Sequence, residues 1–307
     1  MLETTGLNCY NKNGGNKMDL SNKYVIHVKK NGVEYLQFKK LLEYSDVINH
    51  AYTLGKNVDF RTAMPNKQTL SKEKFEKNCN DYKNICEAIE EDYIKVVKCN
   101  QEHTKNVKTV DAKINADKPD FNLEEYDFTD GLVTNKSNLI LATTNADCIL
   151  LLFFDPVKKV IANVHSGWKG TLQRISVVAA NKMVHEFGCN PEDIICCICP
   201  SIRKCHFEVD EDVKLMFENE FKDLVNLGEQ SSENNNLLDE IIEYNQENNK
   251  WHIDTVLINR TILKNVGLKD ENIIDCGICS VCNSQLIHSF RVEKEGYGLE
   301  TALIELK

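Results

Sequence analysis

Residues 143–170 read TTNADCILLLFFDPVKKVIANVHSGWKG, and the reading of this stretch decides the fold. Two apolar runs, Ile149 to Phe154 and Val160 to Val164, have strand composition. Between them Asp155-Pro156-Val157-Lys158-Lys159 has turn composition, because proline presets φ and aspartate bonds back to its own backbone. An antiparallel hairpin turning about Pro156 and Val157 would set Phe154 opposite Lys159 and Cys148 opposite His165. Directly opposed side chains have Cβ atoms roughly 4.5–5.5 Å apart. A cysteine and a histidine would therefore meet at the open end of the hairpin, as two ligands of one metal ion or as a thiol beside its base. The plainer alternative is a pair of ordinary buried residues at a strand end.

After His165 the chain turns through Ser166-Gly167-Trp168-Lys169-Gly170. Leu172, Ile175, Ala179, Met183 and Phe187 then fall on one helical face, and Gly188 is placed to stop that helix. A strand followed by glycines and a helix start offers free N–H groups to an anion.

Working outward, Tyr24 to Val28 and Val33 to Phe38 read as strands joined by an Asn31-Gly32 turn, and Val47 to Leu54 as another. Gly55 to Leu70 is a loop. Ser71 opens a helix whose stripe is Phe75, Cys79, Tyr82, Cys86 and Ile89. Ile94 to Cys99 is a strand that delivers Asn100-Gln101-Glu102-His103, and residues 107–110 continue as a strand. Asp130 to Thr134 is a turn into a strand, and Leu139 to Thr144 is the next strand. Ile194 to Cys199 and Ile273 to Cys276 read as further strands. Asp210 is expected to cap a helix to about Val225, and Asp254 one that Gly267 ends. Gln285 to Arg291 and Thr301 to Leu306 read as two paired strands. Residues 1–20 are a polar, Gly/Asn-rich extension expected to be disordered, with Met18 a second candidate start. Residues 228–250 read as a solvated polar insertion in a single domain spanning 21–307.

A chain of 307 residues can bury a sizeable core, and 42% hydrophobic with 27% charged residues is ordinary for a globular protein. A net charge of −10 argues against nucleic acid, whose binding needs clustered Lys and Arg. No apolar run is long enough for a membrane span, and no secretory signal is visible. Thirteen cysteines without such a signal suggest mostly reduced thiols and a cytoplasmic location. Cys279-x-x-Cys282 is a lone CxxC, and Cys196, Cys197 and Cys199 cluster without a spaced partner, so neither reaches a four-ligand structural zinc pattern.

With the His103, Cys148 and His165 segments in hand, the chain resembles the laccase-domain family, also called multicopper polyphenol oxidase-like proteins or purine nucleoside phosphorylases of the laccase-domain type. The resemblance runs from about Val47. Gln101-Glu102-His103, Asp130 to Thr134, Ala146-Asp147-Cys148 and His165 to Gly170 carry it, supported by Pro200-Ser201-Ile202, Cys205 to Val209 and His288 to Arg291. The expected fold is α/β: one domain of mixed, largely antiparallel sheet layers flanked by helices, an α-β-β-α sandwich.

The resemblance implies a metal site of His103, Cys148 and His165. Three ligands and an open fourth position is the catalytic zinc arrangement. It also implies phosphorolysis of adenosine, inosine and 5′-methylthioadenosine, with adenosine deamination beside it, so a purine nucleoside and phosphate are the expected partners. Copper oxidation of phenols is disfavoured: eight histidines without a His-x-His pair do not build several copper sites. Arg291, Lys169 and the helix start after His165 are candidate phosphate groups. Gln101 and Asp147 flank the ligands and would orient them or bond substrate, and Asp147 could equally cap a strand end. Family positions depart at Leu54 to Val58, where an Arg-Gly-Gly is usual, and at Thr104, Lys169 and Leu299. The alternative is a metal-free cysteine hydrolase with Cys148 as nucleophile and His165 as base. The residues carry no signal for an oligomeric state.

Overall fold

The computed structural model describes residues 18–307 apart from 64–69, 223 and 225–236. Its strands are β1 (Val25–Lys30), β2 (Val33–Phe38), β3 (Ile48–Leu54), β4 (Val96–Lys98), β5 (Val107–Thr109), β6 (Gly131–Thr134), β7 (Ile140–Asn145), β8 (Ile149–Asp155), β9 (Val160–Ser166), β10 (Ile195–Ile198), β11 (Glu208–Val209), β12 (Ile242–Asn245), β13 (Lys250–Ile253), β14 (Ile273–Asp275) and β15 (Glu300–Leu306). The helices are α1 (Lys39–Leu42), α2 (Lys72–Ala88), α3 (Trp168–Leu172), α4 (Ile175–Phe187), α5 (Glu211–Phe221), α6 (Leu237–Ile241), α7 (Thr255–Val266) and α8 (Phe290–Glu293).

One sheet runs β1-β2-β3-β15-β7-β4 and a second runs β14-β10-β8-β9-β6-β5. Pairing is antiparallel except for β4–β7, β10–β14 and β5–β6. The unbroken apolar run of β8 now has its reason, because the strand is buried on both faces. Leu150, Leu152 and Phe154 enter a core shared with Leu141, Ala302 and Ile304 of the first sheet. Ile149, Leu151 and Phe153 point the other way, onto Ile175, Ala179 and Met183 of α4 and Val256 and Leu263 of α7. The first sheet has its own outer cover, with Tyr82, Ile85 and Cys86 of α2 packed on Ala51, Ile140 and Leu303. The layers are therefore α-β-β-α, as expected. Each fully buried Leu or Phe in them contributes about 1.5–3 kcal/mol relative to exposure.

One polar side chain crosses the apolar layer between the sheets. Asn163 of β9 is fully buried and donates through Nδ2 to the Leu141 and Ala302 carbonyls at 2.8 Å each, while Thr143 donates to its Oδ1. Both sheets are thus tied at one register.

Several expectations need correction. The central hairpin turns through four residues, Pro156 to Lys159, because Asp155 Oδ1 accepts from both Val157 N and Lys158 N and Lys159 takes a left-handed φ of 53°. Asp155 pairs with Val160, which sets His165 opposite Leu150 and moves Cys148 two places further out on the same face. The helix expected from Leu172 to Phe187 is broken at Arg174, which has φ 56° and bonds Glu220 at 2.6 Å. Residues 285–291 do not form a strand. Asn283 turns the chain back on Cys279, and Ser289 caps α8 by accepting from Val292 N. The partners of β15 are β3 and β7. Part of the expected insertion is ordered: 237–250 contribute α6, with Leu237 and Ile241 buried, and the β12–β13 hairpin of a small sheet β11-β13-β12; its earlier part lies outside the described residues. Asp210 stands at the start of α5 but makes no side-chain cap and pairs instead with Lys250. Of residues 1–20 only 18–20 are described, and Leu20 packs against the core.

Asn163→Ala should destabilise the protein by about 2–3 kcal/mol, since it leaves Thr143 without an acceptor and opens a cavity in the core. Urea unfolding measures this; a loss under about 0.5 kcal/mol would show that the cross-sheet bonds do not matter.

Candidate metal centre and cavity

His103, Cys148 and His165 come together, with one donor atom from each within 4.8 Å of the others. Three separate loops and strand ends deliver them. His165 lies in β9 and faces inward. Cys148 sits just before β8, three residues after β7 ends. His103 lies on the loop after β4, in a left-handed conformation with φ 57°. Its Nε2 is 3.8 Å from Cys148 Sγ, and the two imidazoles stand edge to face with centroids 4.9 Å apart. Gly167 makes the close packing possible. A Cβ there would stand 2.7 Å from His103 Cδ2 and 3.1 Å from Cys148 Sγ.

Asp130 organises the group. Its Oδ1 is 2.8 Å from His165 Nδ1 and accepts from His103 N at 3.0 Å. Its Oδ2 accepts from Thr104 N at 2.7 Å and Glu102 N at 3.2 Å. The bond to His165 Nδ1 leaves Nε2 for a metal, the usual carboxylate–histidine arrangement. The bonds to three successive N–H groups hold His103 in a backbone conformation that costs about 1–3 kcal/mol. Burial alone would raise the Asp130 carboxyl; the His165 and Thr104 hydrogen bonds outweigh it and keep it below its usual value. Burial likewise works against charge on Cys148 and His165, but the two support each other. With His103 adding a hydrogen bond, the thiol falls to about 6, and with Asp130 adding its charge the imidazole rises to about 10. Two imidazoles and a thiolate converging, with no fourth protein ligand among the described residues, suit an open transition-metal site.

The group lines a cavity of about 950 Å³. Arg61, Lys98 and Arg291 bring positive charge to its wall, and Trp168, Phe290 and Tyr297 bring rings. Lys98 is buried, its ammonium has no hydrogen-bond or ion-pair partner among the described residues, and burial, helped by Arg61, pulls its pKa down. Arg61 lies over the Tyr297 ring at 4.5 Å and donates to the Tyr297 carbonyl at 2.8 Å.

The remaining expected site residues divide. Arg291 lines the cavity, with its guanidinium 3.4 Å from Glu208 Oε2 and donating to the Glu208 carbonyl at 3.2 Å. Asp147 lines the cavity, and its carboxylate is bonded to Ser280 and Arg291. In a left-handed turn of φ 81°, it accepts from Ser280 Oγ at 2.6 Å and from Arg291 N at 2.7 Å, anchoring the Arg291 loop. Gln101 spends its amide on Thr144, accepting from its N at 2.8 Å and donating to its O at 2.7 Å. Lys169 is exposed, lies 5.4 Å from the Trp168 ring and is not part of the cavity wall. The role of Asp130 was missed, although Gly131 pairs with Val164 and so brings Asp130 beside His165. Lys98 was missed as well; its signal is a lysine inside the apolar strand IKVVKC.

Fold and site together define an α-β-β-α sandwich with a His/Cys/His centre at one end. The chain belongs to the multi-copper polyphenol oxidoreductase laccase family, whose profile matches residues 66–307. It is 32% identical over 180 residues to "Purine nucleoside phosphorylase YlmD" of Bacillus subtilis, which covers 58% of this chain and 59% of that protein. It is 27% identical over 191 residues to "Adenosine deaminase RL5" of an unidentified prokaryote, covering 62% and 67%. The match thus spans less than two thirds of the YlmD relative's length. The crystal structure of YlmD from Geobacillus stearothermophilus superposes with a TM-score of 0.73 at 18% identity, over 92% of this chain and 99% of that one, a likeness of fold. Among the described residues no helix is long and apolar enough to cross a membrane.

Asp130→Asn should weaken metal affinity about 10–100-fold, the usual cost of losing an orienting partner. Competition with a chromophoric chelator measures it, and wild-type affinity would remove Asp130 from the centre.

Proposed function

We propose that this protein is a zinc-dependent purine nucleoside phosphorylase acting on adenosine, inosine and 5′-methylthioadenosine, with adenosine deamination as a side activity, in the cytoplasm. The observation that carries the reading is one cavity holding both an open His103/Cys148/His165 set and a cluster of cations. The names of the relatives point the same way.

In phosphorolysis the bond from C1′ to the base nitrogen breaks, a phosphate oxygen bonds C1′, and the base leaves with a proton. A phosphate dianion needs fixed positive charge at the attacking side, and the sugar carbon needs stabilisation as it becomes cationic. Lys98, Arg61 and Arg291 are the groups assigned to phosphate. An anion between Lys98 and Arg61 would offset their mutual repulsion and favour the charged form of the buried lysine. Phe290 and Tyr297, with ring centroids 5.2 Å apart, offer surfaces for a purine. Asp147 and Gln101 act as positioning residues, the first for Arg291 and the second for the loop that carries His103. His103, Cys148 and His165 would hold zinc, which supplies Lewis acidity and makes nearby water more acidic. Zinc is favoured over copper because neither Cys/His group among the described residues offers more than two imidazoles, too few for a laccase cluster.

The first measurement is metal content of wild type and Cys148→Ala, followed by phosphate-dependent release of free base. A zinc content that falls by one ion per chain in the variant, with base release that requires phosphate, is expected. Metal-free, inactive wild type would overturn the reading. Lys98→Met should raise the KM for phosphate at least about tenfold with a smaller effect on nucleoside KM, consistent with loss of one charge-assisted contact. An unchanged phosphate KM would remove Lys98 from the phosphate site.

The Cys148 thiolate beside the His165 imidazolium favours a second reading, a metal-free cysteine hydrolase. Iodoacetamide separates the two. A zinc-bound thiolate resists alkylation until a chelator is added, whereas a bare activated thiolate reacts at once.

A further inference from the structure

Behind the cavity lies a second convergence of metal-ligating side chains. Cys205 and His206 sit on the loop between β10 and β11, and Cys279 and Cys282 on the turn that follows β14. One donor atom from each falls within 4.8 Å of the other three. Cys205 Sγ and Cys279 Sγ are 3.7 Å apart, and His206 Nδ1 is 3.7 Å from Cys279 Sγ and 3.6 Å from Cys282 Sγ. Zinc with bonds of about 2.3 Å to sulfur and about 2.0 Å to nitrogen needs tetrahedron edges of about 3.8 Å for S–S and about 3.6 Å for S–N. Three separations match these edges. The fourth, 3.1 Å between Cys205 Sγ and His206 Nδ1, would open by about half an ångström to take the ion. A disulfide fits worse, because 3.7 Å between sulfurs far exceeds the bond length of about 2.05 Å.

We propose that Cys205, His206, Cys279 and Cys282 bind a second zinc ion in a closed tetrahedral Cys3His site that pins together the two loops behind the cavity. The backbone is already shaped for this. His206 N and Phe207 N both donate to the Arg203 carbonyl at 2.8 Å, forming a tight turn that presents two consecutive ligands. The Cys279-x-x-Cys282 turn is closed by Asn283 N on the Cys279 carbonyl at 3.2 Å. Ser201 and Cys279 form a parallel bridge, and Arg203 clamps Asp275 with two bonds of 2.6 and 2.5 Å, so both loops stay in register beside the cluster.

All four positions come from protein, unlike the open triad, which marks a structural rather than a catalytic ion. Its place gives it work to do. The 205–206 loop leads to Phe207 and Glu208, and the 279–282 turn contains Ser280. Phe207 lines the cavity, Glu208 holds Arg291, and Ser280 holds Asp147. A cross-link here fixes the cavity wall from outside, without touching substrate.

The test uses full-length protein expressed with zinc and purified under reducing conditions. Wild type should carry two zinc ions per chain, Cys148→Ala one, and Cys279→Ala/Cys282→Ala one. Should the double variant fail to fold, Cys148→Ala protein stripped and reloaded with cobalt decides. Intense visible bands of tetrahedral cobalt and a strong thiolate charge-transfer band are expected, with a chelator lowering Tm by roughly 10 °C as a folding-coupled ion is removed. A Cys148→Ala protein that retains no zinc and gives no tetrahedral cobalt spectrum would overturn the proposal. So would a Cys205–Cys279 disulfide found by peptide mapping.

Discussion

The site depends on one carboxylate. Asp130 is fully buried, and its two oxygens accept from the backbone of three consecutive residues and from an imidazole on another strand. Burying an ionised group is costly unless it is paired and hydrogen-bonded, and here nearly every lone pair is used. The same charge does three jobs. It sets the tautomer of His165, holds His103 in a conformation few residues adopt, and fastens the loop after β4 to β6. None of these would survive if one partner were removed, because what remained would be an uncompensated buried charge or a strained turn. The two histidines are therefore coupled through Asp130 before any ion is considered.

Much of the fold was legible because the sequence obeys simple periodicities. From Ile149 to Phe154 β8 is apolar at every position, and as a strand it buries that run only when covered on both faces. The α2 and α7 stripes, with Ser71 and Asp254 accepting at their N-termini and Gly267 left-handed at the end of α7, follow ordinary capping chemistry. The candidate triad could be read in part from the hairpin, since Cys148 and His165 share a face in the expected register. The two-residue slip preserved that face, as any even slip does.

What stayed hidden depends on long-range geometry. Residues 285–291 have strand composition, yet Asn283 and Ser289 bond locally and take the segment out of the sheet, a case of side chains outcompeting a ladder. Gln101 and Asp147 looked chemical because they adjoin ligands, but their polar atoms are committed to Thr144, Ser280 and Arg291. Their identity was visible and their partners were not. The partner of the Cys279-x-x-Cys282 turn lay 74 residues from its first cysteine, at Cys205 and His206, and no local spacing links them. Lys98 was concealed differently, as one lysine in an apolar strand whose surroundings turn out to be a cavity wall.

The triad is unevenly supported. His165 is buried and gripped by a carboxylate and a strand on either side, and Cys148 follows directly from the end of β7. His103 is the exposed member, at the cavity edge, its backbone held by Asp130 and its ring against Cys148 and His165. The centre thus has a buried half and an exposed half. An ion held there would have His165 as its inner ligand and His103 as its solvent-facing one. The carboxylate that orients both would stay behind them, bonded to His165 Nδ1 and to the His103 backbone.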